Sequence, residues 1–159
     1  MAKLPKIHPF LWFDKEAEEA MTLYTSIFPN SKELSIARYP DSMPGMGGKV
    51  MTANFELNGL RVTALNAGPQ FKFNEAISLY VETEDQAETD RYWNALIADG
   101  GEESMCGWLK DKFGLSWQII PEALPRLMGN QDRATADRVV QAMLKMKKII
   151  VADLEKAAA

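Results

Sequence analysis

The chain has 159 residues, 47% of them hydrophobic, with a formal net charge of -4 and an isoelectric point near 5.1. That length is one ordinary domain able to bury a core without staples, and the acidic balance argues against a nucleic-acid surface, which needs clustered Lys and Arg. The single cysteine, Cys106, excludes an intrachain disulfide and a zinc ribbon; with no apolar run near the roughly 20 residues of a membrane span and no signal-peptide core, a cytoplasmic protein with neither nucleic-acid nor membrane partner is expected.

In chain order, Ile7 to Phe13 is an apolar run of strand length, and Asp14 suits the N-cap of a helix reaching about Phe28. Ala17, Ala20, Met21, Tyr24, Ile27 and Phe28 recur at spacings of three and four, which places them on one face, and Pro29 stops the helix. A polar strand near Leu34 to Tyr39 leads to the loop Pro44-Gly45-Met46-Gly47-Gly48. From Met51 the pattern alternates strictly, as in a half-buried strand, up to Asn58-Gly59, a type I′ hairpin signal.

A second block repeats the form. Ala76 to Val81 reads as a strand, Thr83-Glu84-Asp85-Gln86 as a capping box opening a helix to about Asp99, and Gly100-Gly101 as its end. A weak strand at Glu102 to Met105 precedes two strands around an Asp-x-x-Gly turn, Asp111 to Gly114. Beyond Pro121, Ala134 to Ala157 carries Val139, Met143, Met146, Ile150 and Leu154 at helical spacing, a stripe for the body of the protein or a second subunit. Lys145, Lys147 and Lys148 read as a solvated face of that helix.

Two strand-helix-three-strand blocks in tandem resemble the vicinal oxygen chelate superfamily, which includes glyoxalase I and the bleomycin and fosfomycin resistance proteins. Within it, Pro9-Phe10-Leu11-Trp12-Phe13-Asp14, the run from Gly114 to Pro121, and Met143-Leu144-Lys145-Met146-Lys147-Lys148 look like the PhnB-like branch, often labelled demethylubiquinone methyltransferase-like. The resemblance implies an α+β fold. Two βαβββ modules, about 5–68 and 74–121, form a cupped eight-stranded mixed sheet around a cavity, and residues 122–159 add C-terminal helices. It also implies a homodimer.

In metal-dependent relatives, two histidines and one or two carboxylates point into the cup from the first and last strand of each module. This chain has one histidine, His8. The last-strand position, four residues past the turn glycine, holds Thr63 and Gln118, and the first-strand position falls at Pro9 or His8 and at Ala76. No metal and no cofactor are expected, a weak site from His8, Glu75 and Gln118 being the residual alternative. Cys106 lacks a nearby base and reads as an inert thiol rather than a nucleophile. Gly45-Met46-Gly47-Gly48 precedes a strand, unlike a phosphate loop. Pro9 to Lys15 has no glycine, so nothing there supports a methyl-donor turn.

What remains is a cavity with aromatic and amide lining, suited to a small and partly aromatic or anionic molecule. Ser116 and Gln118 are expected to point into the cup, as are Arg61 and Thr63, with Arg61 the anchor for an anion. Trp12 and Trp108 would line it, and Asn66 and Asn74 would lie at its mouth. A small-molecule binding protein is the main reading. A metal-dependent lyase, isomerase or dioxygenase, a methyltransferase, and a resistance-type sequestration protein are the alternatives.

Overall fold

Alternation along residues 50–57 buries Ala53, Phe55 and Leu57 on one side and leaves Thr52, Asn54 and Glu56 half-buried on the other, so this strand has one face for a core and one for something else. The structure, a computed structural model, describes residues 3 and 5–159, and it divides into two compact units between Phe73 and Asn74.

The first unit runs β1 (Phe10–Phe13), α1 (Ala17–Ile27), β2 (Lys32–Arg38), β3 (Val50–Leu57) and β4 (Leu60–Asn66). Its strands lie in the order β1-β4-β3-β2, with β1 parallel to β4 and the rest antiparallel. Tyr24 of α1 packs near Phe55, and Met21, Ala20, Val62, Ala64 and Phe13 complete this core at 0–2% exposure. Asn58 and Gly59 both take positive φ, +47° and +86°, the type I′ geometry expected of that pair.

The second unit repeats the plan as β5 (Ser78–Thr83), α2 (Gln86–Ile97), β6 (Glu102–Glu103), β7 (Trp108–Lys110) and β8 (Ser116–Pro121), in the order β5-β8-β7-β6. Its helix-side core is Tyr92, Trp93, Leu96, Leu109, Trp117 and Ile119. Asp111 sets the β7–β8 turn. Its Oδ1 accepts from the backbone N–H of Phe113 and Leu115 at 2.9 and 3.0 Å, and its Oδ2 from Trp117 Nε1 at 2.9 Å, although the residue is 2% exposed. The eight strands thus form two four-stranded mixed sheets, one per module.

Three sequence expectations are corrected. The first helix starts at Ala17 rather than after Asp14, because the Ala17 N–H is capped from β4 by Asn66 Oδ1 at 2.8 Å. The second helix is capped by Asp85, which accepts from Glu88 N, while Thr83 Oγ1 meets Thr89 Oγ1 instead. The helix expected over Ala134 to Ala157 is broken in two, α4 (Arg133–Met143) and α5 (Val151–Ala158), and a short α3 (Ala123–Met128) precedes it. Backbone groups between α4 and α5 bond to the second module, and those contacts override a continuous helical stripe.

Candidate functional site

Each sheet has a face turned away from α1 or α2, here called the distal face. On the first sheet it carries Trp12, Asn54, Glu56, Arg61, Thr63 and Leu65, as the register with buried Phe55 and Val62 requires. Thr63 Oγ1 donates to Asn54 Oδ1 at 2.7 Å, and Asn54 Nδ2 donates to Ser35 Oγ at 3.2 Å. With its one proton given to Asn54, the Thr63 hydroxyl can only accept from His8 Nε2, 3.1 Å away. His8 Nε2 is therefore the donor, which in a neutral ring leaves Nδ1 as an acceptor, and Nδ1 is buried without a hydrogen-bond partner.

Arg61 Nε is also buried without a partner. Its cross-strand neighbour Glu56 pairs with Lys32 instead, Nζ to Oε2 3.6 Å. Trp12 Nε1 donates to Gly68 O at 2.9 Å, and its ring meets Phe71 edge-on with centroids 4.9 Å apart. Asn66 lies elsewhere. Its side chain is on the helix side, with Oδ1 on Ala17 N and Nδ2 donating to Val50 O at 3.2 Å, so both ends of the amide serve the backbone.

On the second sheet, Gln118 Nε2 donates to Ser78 Oγ at 2.9 Å. Trp108 is opposite Gln118 and half-buried. Ser116, opposite Lys110, is 1% exposed, and its Oγ has no partner. Lys110 is ion-paired with Glu75, which holds the Glu75 carboxyl below its ordinary value and the Lys110 ammonium above its own. Tyr80 is in register with Gln118; partial burial pushes its phenol up, and the Glu82 charge adds to this. Asn74 is exposed and accepts from Ala76 N at 2.9 Å.

Vicinal oxygen chelate chemistry needs imidazoles with carboxylates. At the first- and last-strand positions stand His8, Thr63, Ser78 and Gln118, with no carboxylate among them. Ser78, not Ala76, meets Gln118, because β5 is in register with β8 two residues later than expected. Glu75 is engaged by Lys110, and no group of three His, Cys, Asp or Glu among the described residues could hold an ion. These donors do not fit such a metal.

One feature went unread in the sequence. A cleft of about 620 Å³ opens in the first unit, lined among others by Asp14, Lys15, Tyr39, Met43, Met46 and Lys49. Only the long glycine-bearing loop hinted at it. Cys106 is half-buried with φ +59°, and its backbone N–H donates to Met146 O at 2.7 Å.

Two βαβββ modules of identical strand order, each with a helix on one face and polar groups on the other, define a protein of the glyoxalase/bleomycin resistance superfamily fold. The family model described as 3-demethylubiquinone-9 3-methyltransferase matches residues 5–120. The chain is 40% identical to a Bacillus cereus PhnB protein carrying the same description, over 74% of this chain and 99% of that one, with a TM-score of 0.67. The chain belongs to this PhnB-like family. The protein PA1353 from Pseudomonas aeruginosa is similar at 23% identity, over 74% of this chain and 98% of that one, with a TM-score of 0.57. The fosfomycin resistance protein FosX of Mesorhizobium loti shares the fold at 13% identity, over 75% of this chain and 92% of that one, with a TM-score of 0.52. No curated protein matches the chain. Among the described residues no helix is long and apolar enough to cross a membrane.

Proposed function

We propose that this chain is a cytoplasmic homodimer that binds a small, partly aromatic or anionic molecule on the distal faces of its sheets without using a metal. One observation carries the reading. Among the described residues, the buried side-chain polar atoms without a partner are His8 Nδ1, Arg61 Nε and Ser116 Oγ, and all three belong to distal faces. A buried polar atom left unpaired costs about 1–3 kcal/mol, so such atoms gathered on one kind of surface favour an external partner. Arg61 supplies the charge. Its guanidinium suits a carboxylate, sulfonate or phosphoryl oxygen, with His8 Nδ1 ready to accept a hydrogen bond from a hydroxyl or N–H of the same ligand. On the first sheet Trp12 supplies aromatic surface and Thr63 fixes orientation; on the second sheet Trp108 and Gln118 offer the same pair of roles, and Asn74 stands at the start of that module.

Methyl transfer, the activity in the family's description, finds no added support in this chain, since the β1–α1 connection has no glycine to approach a nucleotide-like methyl donor. Sequestration remains within the reading, because it needs the same site and no reaction.

The test is titration of the full-length protein with anilinonaphthalene sulfonate, an aromatic anion, followed by calorimetry and fluorescence. Arg61→Gln is expected to weaken binding at least roughly tenfold, with the urea midpoint little changed. Equal affinity in both proteins would remove Arg61 as the anchor. Native mass spectrometry of the purified protein then reads the subunit count and any ligand carried along.

A further inference from the structure

Part of the chain beyond the family match, the segment between α4 and α5, is tied to the second module by hydrogen bonds and an ion pair. Between α4 and α5 the backbone leaves the helix, and there Met146 O accepts from Cys106 N at 2.7 Å and Lys147 O from Gly107 N at 2.8 Å. Gln86, at the start of α2, holds the same segment through its side-chain amide. Its Nε2 donates to Ile149 O at 3.0 Å, and its Oε1 accepts from Val151 N at 2.8 Å. Lys148 Nζ lies 2.8 Å from Asp90 Oδ1. Gly107 permits the approach: its φ is +85°, and a Cβ would lie 2.6 Å from Ile120 Cδ1 and 3.1 Å from Ile149 Cγ1.

Apolar packing adds to these bonds. Val139, Ile149 and Leu154 are fully buried in a cluster with Leu124 and one sheet residue, Ile120. By alternation Ile120 is the next distal-face position after Gln118. Its counterpart on the first sheet, two residues past Thr63, is Leu65, which is only half-buried.

We propose that residues 144–158 form a strap over the Ile120 end of the second sheet's distal face and so set where a ligand lying along Ser116 and Gln118 must stop. The strap itself stands on the hydrogen bonds above; its effect on binding rests on the proposed function. Release uncovers Ile120 and its aliphatic neighbours beside Gln118. The site then gains surface for an alkyl or aryl tail.

The experiment is hydrogen exchange on full-length Gln86→Ala, which removes both amide grips without touching the sheet, with anilinonaphthalene sulfonate titrated into the same samples. Exchange across 146–158 is expected to rise at least roughly tenfold while β5 and β8 keep their protection, and the dye is expected to bind at least roughly threefold tighter. Faster exchange in β5 and β8 together with 146–158 would make the extension an inseparable part of the core and overturn the strap. Unchanged exchange in 146–158, or faster exchange with unchanged dye affinity, overturns it too. Lys148→Ala, which removes only the ion pair, should give a smaller rise in the same amides if Gln86→Ala folds poorly. Dye binding that ignores Arg61→Gln strikes the proposed function alone. Protein that binds no dye until Gln86→Ala supports the strap and sinks the Arg61 reading.

Discussion

Ser78 and Gln118 are joined by a 2.9 Å hydrogen bond that repeats, at the same place in the module, the 3.1 Å contact between His8 and Thr63. Phe10 is in register with Thr63 and Tyr80 with Gln118, so His8 and Ser78 each stand two residues ahead of the paired position. Each module thus has a side-chain bridge to its last strand from a residue two places ahead of the paired position, imidazole to hydroxyl in the first and hydroxyl to amide in the second.

Those four side chains predict indifference to divalent metal. A resident site stabilises a protein by about 2.7 kcal/mol when free ion exceeds its Kd a hundredfold. Millimolar Mn(II) or Ni(II) should leave the urea midpoint where chelator leaves it. A reproducible upward shift would restore the metal reading at His8.

Asn66→Ala should destabilise the fold by about 1–3 kcal/mol, because it strips the acceptor from Ala17 N–H and the donor from Val50 O in a buried setting. Urea denaturation by circular dichroism reads it. A change below the experimental error would mean that water replaces the amide at both ends.

Asp111→Ala leaves two backbone N–H groups and the Trp117 indole N–H without their carboxylate, at about 3 kcal/mol or more. Asp111→Asn keeps Oδ1 and should cost less. Tryptophan emission shifting to the red in the native state of Asp111→Ala is the accompanying signal.

Gly107 and Gly114 have nearly equal φ, +85° and +87°, yet differ in surroundings. Gly114→Ala meets nothing within 4 Å and should cost about 1 kcal/mol from the backbone alone. Gly107→Ala must also move Ile120 and Ile149, and should cost at least about 1 kcal/mol more. Equal costs would show that the C-terminal segment yields freely.

The Asp90 carboxyl is held below its ordinary value first by Lys148, then by Gln86. Its folded pKa is the lower one, so its contribution to docking residues 146–151 is complete above the ordinary carboxylate value of about 4 and is lost as pH falls through the folded value. Exchange in that segment, corrected for intrinsic rates, should accelerate selectively in acid and do so less in Asp90→Asn, which starts looser. Because the pair is only half-buried, added salt should shrink the difference.

Strands and hairpins were legible because their causes are local. Met51 to Leu57 alternates, and Asn58-Gly59 can hardly do anything but turn. The misreadings have distant causes. The start of the first helix was placed too early because its cap, Asn66, lies 49 residues away from Ala17 in the chain. The stripe through Met143, Met146 and Ile150 is helical in spacing, yet the Met146 carbonyl is claimed by Cys106 and that of Ile149 by Gln86, contacts with no trace in periodicity. At the candidate site, the positions came from the family motif and strand alternation. The orphaned atoms of His8, Arg61 and Ser116 could not be inferred, since whether a partner is missing depends on every neighbour at once.

The connection between β2 and β3 spans residues 39–49, whereas the matching one between β6 and β7 needs only 104–107. The longer one supplies Tyr39, Met43, Met46 and Lys49 to the cleft beside α1. That hollow therefore depends in part on a connector that is longer in one module than in the other, and trading residues 39–49 for the shorter version would strip away one of its walls while every strand kept its neighbour. Divergence between the halves has been written into a connector, where it leaves the hydrogen-bonded scaffold untouched.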